Sequence, residues 1–144
     1  MADIHRTHGS LAWATIADED LKSGSGNATD SVQLENMRPL GFTIDLDLAG
    51  ATDVDLTAEC QMPYDSTWRT VVKKSGTAWN TAGSLLTADA NLQWTFGDVT
   101  GDDLQAIMGA ATAFRMVYAT TGTPTSDTIV INLLLVPAHT GKQF

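Results

Sequence analysis

Three histidines, His5, His8 and His139, are the side chains best suited to moving a proton near neutral pH, and all lie close to an end of the sequence. A nucleophile–histidine–acid set needs a histidine held by the fold beside its partners. These positions predict none, and no Gly-x-Ser-x-Gly elbow occurs. His5-x-x-His8 has the spacing of a loose metal pair, but such a pair needs a rigid turn and further ligands. It reads as part of a polar N-terminal arm. His139 follows Pro137 in the C-terminal tail and reads as a solvated or interface residue.

The carboxylates offer one arrangement to weigh. Asp45 and Asp47 share one face of a strand-like run, and Asp53 and Asp55 share one face of the next. If the two runs pair, four acids converge and a Ca²⁺ site becomes conceivable, because hard cations want several oxygens. The plainer reading is the polar half of alternating strands, facing solvent or a basic partner. A glycosidase pair would also need an aromatic-walled cleft, of which there is no sign. The stretch Asp98 to Asp103 lacks the ligand spacing of an EF-hand loop and is explained by capping of a following helix. Gly24 and Gly26 lack the Lys-Ser/Thr ending of a phosphate loop. Cys60, the single cysteine, excludes an internal disulfide and a cysteine-rich metal site, and falls where a small buried hydrophobe belongs. The expectation is no catalytic residue, no cofactor and no metal ligand.

The elements that carry these residues have a period of two. Apolar residues alternate with polar ones over Phe42 to Leu48, Val54 to Met62, Trp68 to Lys73, Leu92 to Phe96 and Phe114 to Tyr118. Thr128 to Val136 is apolar on both phases except for Asn132, which predicts a strand covered on both faces. A seventh strand is possible around Ser31 to Leu34. Ala49-Gly50-Ala51-Thr52, Pro63 to Ser66, Ser75-Gly76 and Thr120 to Ser126 supply turns. One short helix is expected from Thr100 through Leu104, Ile107 and Met108, stopped at Gly109. Short, frequent strands predict an all-β fold, an antiparallel β-sandwich or jelly roll over residues 31–144. Residues 1–30 are expected to form an extended N-terminal arm and a flexible Ser/Gly loop, although Leu11 to Ile16 can pair as a strand. Of the four tryptophans, Trp68 and Trp94 are assigned to the core and Trp13 to a contact between subunits.

A chain of 144 residues suits one domain that needs no metal or disulfide to hold its core. Its formal charge of -9 repels phosphate backbones and anionic lipid, so nucleic acid and membrane are not expected partners. No signal peptide and no apolar run of spanning length are read in it.

One arrangement has a familiar form. Val54 to Gln61, then Tyr64-Asp65-Ser66-Thr67-Trp68-Arg69-Thr70-Val71, reads as strand, turn and strand. Ala113 to Thr120, then Gly122-Thr123, then Thr128 to Val136, reads as its companion hairpin. Together they resemble the small β-sandwich accessory proteins of bacteriophage virions, the capsid decoration or cement type. The resemblance covers Val54 to Val136 and is a pattern of strands and turns, shared in part by discoidin-like and carbohydrate-binding sandwiches. It implies a non-enzymatic structural role in the virion, assembled in the host cytoplasm. Many copies would bind the major capsid protein or other virion proteins as homo-oligomers, with trimers favoured. Interface contacts are expected from Trp13 and Ile16 in the arm and from His139 and Phe144 in the tail. The alternatives are a neck, tail or spike component, and a carbohydrate- or receptor-binding module in which Trp79 contacts the glycan.

Overall fold

The computed structural model describes residues 1–6, 11–72, 76–81, 86–96 and 109–138. Over them the two-residue rhythm builds ten strands: β1 (His5–Arg6), β2 (Ala12–Asp20), β3 (Asn27–Ala28), β4 (Val32–Gln33), β5 (Met37–Asp47), β6 (Ala51–Gln61), β7 (Arg69–Thr70), β8 (Ala90–Thr95), β9 (Ala113–Gly122) and β10 (Thr128–Pro137). One sheet has the order β1-β2-β10-β5-β8; the other has β3-β9-β6-β7, with β4 also on β9. The strand ladders are antiparallel, and the fold is an all-β sandwich.

Alternation decides which side chains meet between the sheets. Ile129, Ile131 and Leu133 of β10 and Phe42 and Ile44 of β5 point inward from the first sheet, all fully buried. Val54, Leu56 and Ala58 of β6 and Phe114 and Met116 of β9 answer them from the second. Each large apolar side chain buried in this way contributes roughly 1.5–3 kcal/mol. Phe96 joins the layers, with its ring centroid 5.7 Å from those of both Phe42 and Phe114 and 4.9 Å from that of Trp79.

Three connections cross between the sheets at one end of the sandwich: β2 to β3, β5 to β6 and β9 to β10. Asp127, fully buried, ties them together. Its carboxylate accepts the amides of Ala49, Gly50 and Ala51 from the β5–β6 turn and of Thr125 from its own turn, at 2.8–3.1 Å. Its backbone carbonyl accepts the Leu21 amide at 2.9 Å, which brings in the end of β2. Position 50 has to be glycine for the turns to approach, since a Cβ there would collide with the Thr123 carbonyl oxygen.

Several expectations are corrected. Residues 1–30 are more than an extended arm and loop, and the strand allowed for Leu11 to Ile16 is present and longer. Ala12–Asp20 is an inner strand of the first sheet, paired with β10 from Thr128↔Asp20 to Leu135↔Ala12. The apolar phase at Ala12, Ala14 and Ile16 supplies core, and that burial holds the strand in place. Of the run from Trp68 to Lys73, the described part, as far as Val72, forms a ladder only at Arg69–Thr70. Trp79, not Trp68 or Trp94, is the buried tryptophan, at 1% exposure. The chain at 79–81 returns to the edge of β6, where Thr81 donates its amide to Leu56, and this carries the Trp79 ring against Phe42. Trp94 and Trp68 are half-buried. The expected helix from Thr100 to Met108, and Ser75 of the expected hairpin, lie outside the described residues.

Candidate contact surface

The outward phase of the first sheet is a continuous face whose rows follow from register. Trp13, Leu134 and Gly41 form one row, and Thr15, Asn132 and Thr43 the next. Asp18, Val130 and Asp45 form a third, and Asp20, Thr128 and Asp47 a fourth. The face therefore runs from apolar to acidic along β10. This departs from the expectation that both faces of β10 are covered. Val130, Asn132 and Leu134 are only half-buried, because β10 lies in the middle of a sheet whose outer side has no layer upon it among the described residues.

Local contacts hold the face in shape. Trp13 is 37% exposed and stacks on His5 with ring centroids 4.4 Å apart. Thr15 Oγ1 donates to Asn132 Oδ1 at 2.6 Å across the β2–β10 pair. Asn91 Nδ2 donates to Asp45 Oδ1 at 2.6 Å, and the Leu48 amide donates to Asp89 Oδ1 at 2.7 Å. Trp13, Thr15, Asp18, Val130, Asn132 and Leu134 line an open groove of about 410 Å³. Asp45, Asp47, Asp89, Asn91, Thr128 and Val130 line a second depression of about 300 Å³, and Val130 belongs to both.

On the second sheet two arginines are engaged by carboxylates and aromatic rings. Arg115 donates to Glu59 at 2.8 Å and lies 4.3 Å over the Trp68 ring. Arg69 meets both oxygens of Asp65 at 2.8 Å and lies 5.1 Å from the Tyr64 ring centre. The Arg69 hydrogen bonds, helped by the Thr67 amide, hold the Asp65 carboxyl at about 2, below its usual 3.8. The four ion pairs among the described residues join Arg6 to Glu35, Lys22 to Glu19, Arg69 to Asp65 and Arg115 to Glu59. None of them draws on Asp18, Asp20, Asp45, Asp47 or Asp89.

The acid cluster that pairing of the two runs would have made does not assemble, and the four aspartates are the polar half of their strands. β5 and β6 belong to different sheets, so Asp45 and Asp47 face outward from one layer and Asp53 and Asp55 from the other. Packed sheets lie about 10 Å apart, which puts a filled core between the two pairs. Asp55 instead accepts the Thr81 hydroxyl at 2.8 Å. Among the described residues no three His, Cys, Asp or Glu side chains gather as metal ligands would. Cys60 is buried, and burial, reinforced by the Glu59 charge, pushes its thiol up to about 12. It stays protonated and packs as a small hydrophobe.

Of the expected contact residues, Trp13 stands on the open face. Ile16 is 1% exposed and packs in the core, because the pleat of β2 turns it inward. His139 and Phe144 lie outside the described residues. Trp79, the glycan contact named for the carbohydrate-binding alternative, is internal. Sequence reasoning did not anticipate Asp18, Val130, Asn132 and Leu134 as one surface. The available signal was the apolar residues on the outward phase of β10, where a solvated strand would carry polar ones. No protein-family model and no curated protein matches this sequence.

Proposed function

We propose that this chain is a non-enzymatic structural protein of a bacteriophage virion, a capsid decoration protein that stabilises the head by bridging neighbouring subunits. The observation that carries the reading is the open face of β2, β10 and β5, which presents Trp13, Leu134 and Val130 to solvent on a strand pair locked by the core beneath it. Such a face is suited to contact: it is pre-ordered, so docking costs little conformational entropy. Binding that requires the assembled shell stabilises the shell by mass action. The resemblance of Val54 to Val136 to phage accessory sandwiches supplies the particle and the major capsid protein as partner. Homo-oligomers, trimers first, belong to the same proposal.

Co-sedimentation with expanded capsids tests it. The purified chain is expected to pellet with the shells in a saturable ratio and to raise their disruption temperature, and mass measurement gives its oligomeric order. A chain that never enters particles ends the proposal. Binding to isolated tails or necks, with none to heads, moves the assignment to the alternative position on the virion.

A carbohydrate- or receptor-binding module is the second reading. Trp13 favours it, since the ring is flanked by Thr15, Asp18 and Asn132 in one groove. Glycan binding lost on Trp13→Ala would support it.

A further inference from the structure

We infer that the outer face of β2, β10 and β5 docks an extended basic segment of a partner protein, with an apolar side chain at the Trp13–Leu134 end and Lys or Arg at the Val130 end. The inference rests on the contact role proposed above but not on the phage assignment.

Row spacing sets the length of the occupant. From Leu134 to Thr128 the strand advances six residues, about 20 Å at the rise of an antiparallel strand. An extended segment of similar length can cover both the apolar and the acidic rows. At the first, Trp13 and Leu134 are cross-strand partners and form a surface for an aliphatic or aromatic anchor. At the third, Val130 lies between Asp18 on β2 and Asp45 on β5. Strands lie about 4.8 Å apart, so the two carboxylates flank Val130 on either side. A Lys or Arg stem can lie on Val130 while its head reaches a carboxylate. Asp20 and Asp47 repeat the arrangement about 7 Å further on, around Thr128.

The aspartates of this face, none of them in an ion pair among the described residues, favour a basic occupant. Two such faces brought together about a twofold axis parallel to the strands would set aspartates against aspartates. On the opposite face the described cations Arg115 and Arg69 are already engaged by Glu59 and Asp65. Lys22, close to the acidic end, is held by Glu19 at 3.2 Å. Arg38, the described cation outside these pairs, lies on this same face beyond Leu134, beside Val136 and away from the aspartate rows, so the occupant taken is a basic segment of another protein.

The test uses the full chain, labelled with ¹⁵N, and two capped synthetic peptides as probes. One carries a tryptophan followed by spaced lysines and arginines; the other has glutamates at the basic positions. The basic peptide is expected to shift amides of Ala12–Asp20, Thr43–Asp47 and Thr128–Val136 and to leave β6 and β9 unmoved. Asp18→Asn and Asp45→Asn each weaken binding by about threefold, as a partly exposed ion pair would. Trp13→Ser with Leu134→Ser weakens it by about tenfold or more, as loss of an interface anchor would. The thermal midpoint of each variant confirms that it is folded, and raised salt weakens binding of the basic peptide. Equal binding of the acidic peptide, shifts on β6 and β9, or no shift overturns the inference. So do shifts of this face that grow with protein concentration alone, which would make a second copy the occupant. Peptide binding without capsid binding keeps this inference and ends the phage assignment; capsid binding without peptide binding does the reverse.

Discussion

Gly50 donates its amide to both carboxylate oxygens of Asp127, at 2.9 and 3.1 Å, across a sequence separation of 77 residues. This contact joins the β5–β6 turn to the β9–β10 turn. Burial of Asp127 pushes its carboxyl pKa up, but the amides of Ala49, Thr125, Ala51 and Gly50 push it down and prevail, leaving it well below the usual 3.8. Asp127→Asn is expected to lower the melting temperature by several degrees, because its NH₂ would face amide donors. The sign with pH follows from a depressed folded-state value: the contribution is full above about pH 4 and is lost as pH falls through the folded value. Thermal melts from pH 7 down to pH 2 should show a steep acid loss in the parent and a shallower one in the variant.

Phe42 joins the core aromatic rings, with Trp79 at 5.9 Å and Phe96 at 5.7 Å. Phe42→Ala should cost roughly 3–5 kcal/mol, because it leaves a cavity between two packed layers. Tyr64, 72% exposed, provides the comparison. Tyr64→Ala should stay within about 1 kcal/mol, the loss of a surface cation–π contact. Urea unfolding of both variants measures the difference.

Cys60 should be almost inert to a disulfide reagent at pH 8 while the chain is folded and should react promptly once it is unfolded. Its thiol is held protonated up to about 12, against 9.0 unperturbed. A raised folded-state value means that this contribution is complete below pH 9 and fades as pH climbs toward 12. Fast native labelling at pH 8 would show that the site is open.

Arg115 bonds Glu59 at 2.8 Å and covers Trp68 at 4.3 Å, with side-chain exposures of 26% and 19% for the ion pair. Arg115→Ala should cost roughly 1–2 kcal/mol through the joint loss of both partners. Trp68 emission should shift toward the red as the ring gains water. An unchanged spectrum would mean that the stack is absent in solution.

The alternation of Val54, Leu56, Ala58 and Cys60 with polar neighbours was sufficient to read β6, its phase and the buried state of the cysteine. The same local rule gave β5 and β9, because a pleated strand sorts its side chains by phase wherever it runs; β10, apolar on both phases, was legible as a strand but not in which face it buries. That rule carries no information on which strands share a sheet. Asp45–Asp47 and Asp53–Asp55 looked like neighbours in sequence, and the crossing at Gly50 put them on opposite faces of the sandwich. The polar start of the chain looked like an arm until the pairing of Ala12–Asp20 with β10 made it an inner strand. Trp13 and Leu134, far apart in the chain, became one surface through that same pairing. Composition and phase settled which residues are apolar and which way each points within its strand; register between distant segments decided which of them meet, since hydrogen bonding between strands is blind to sequence separation.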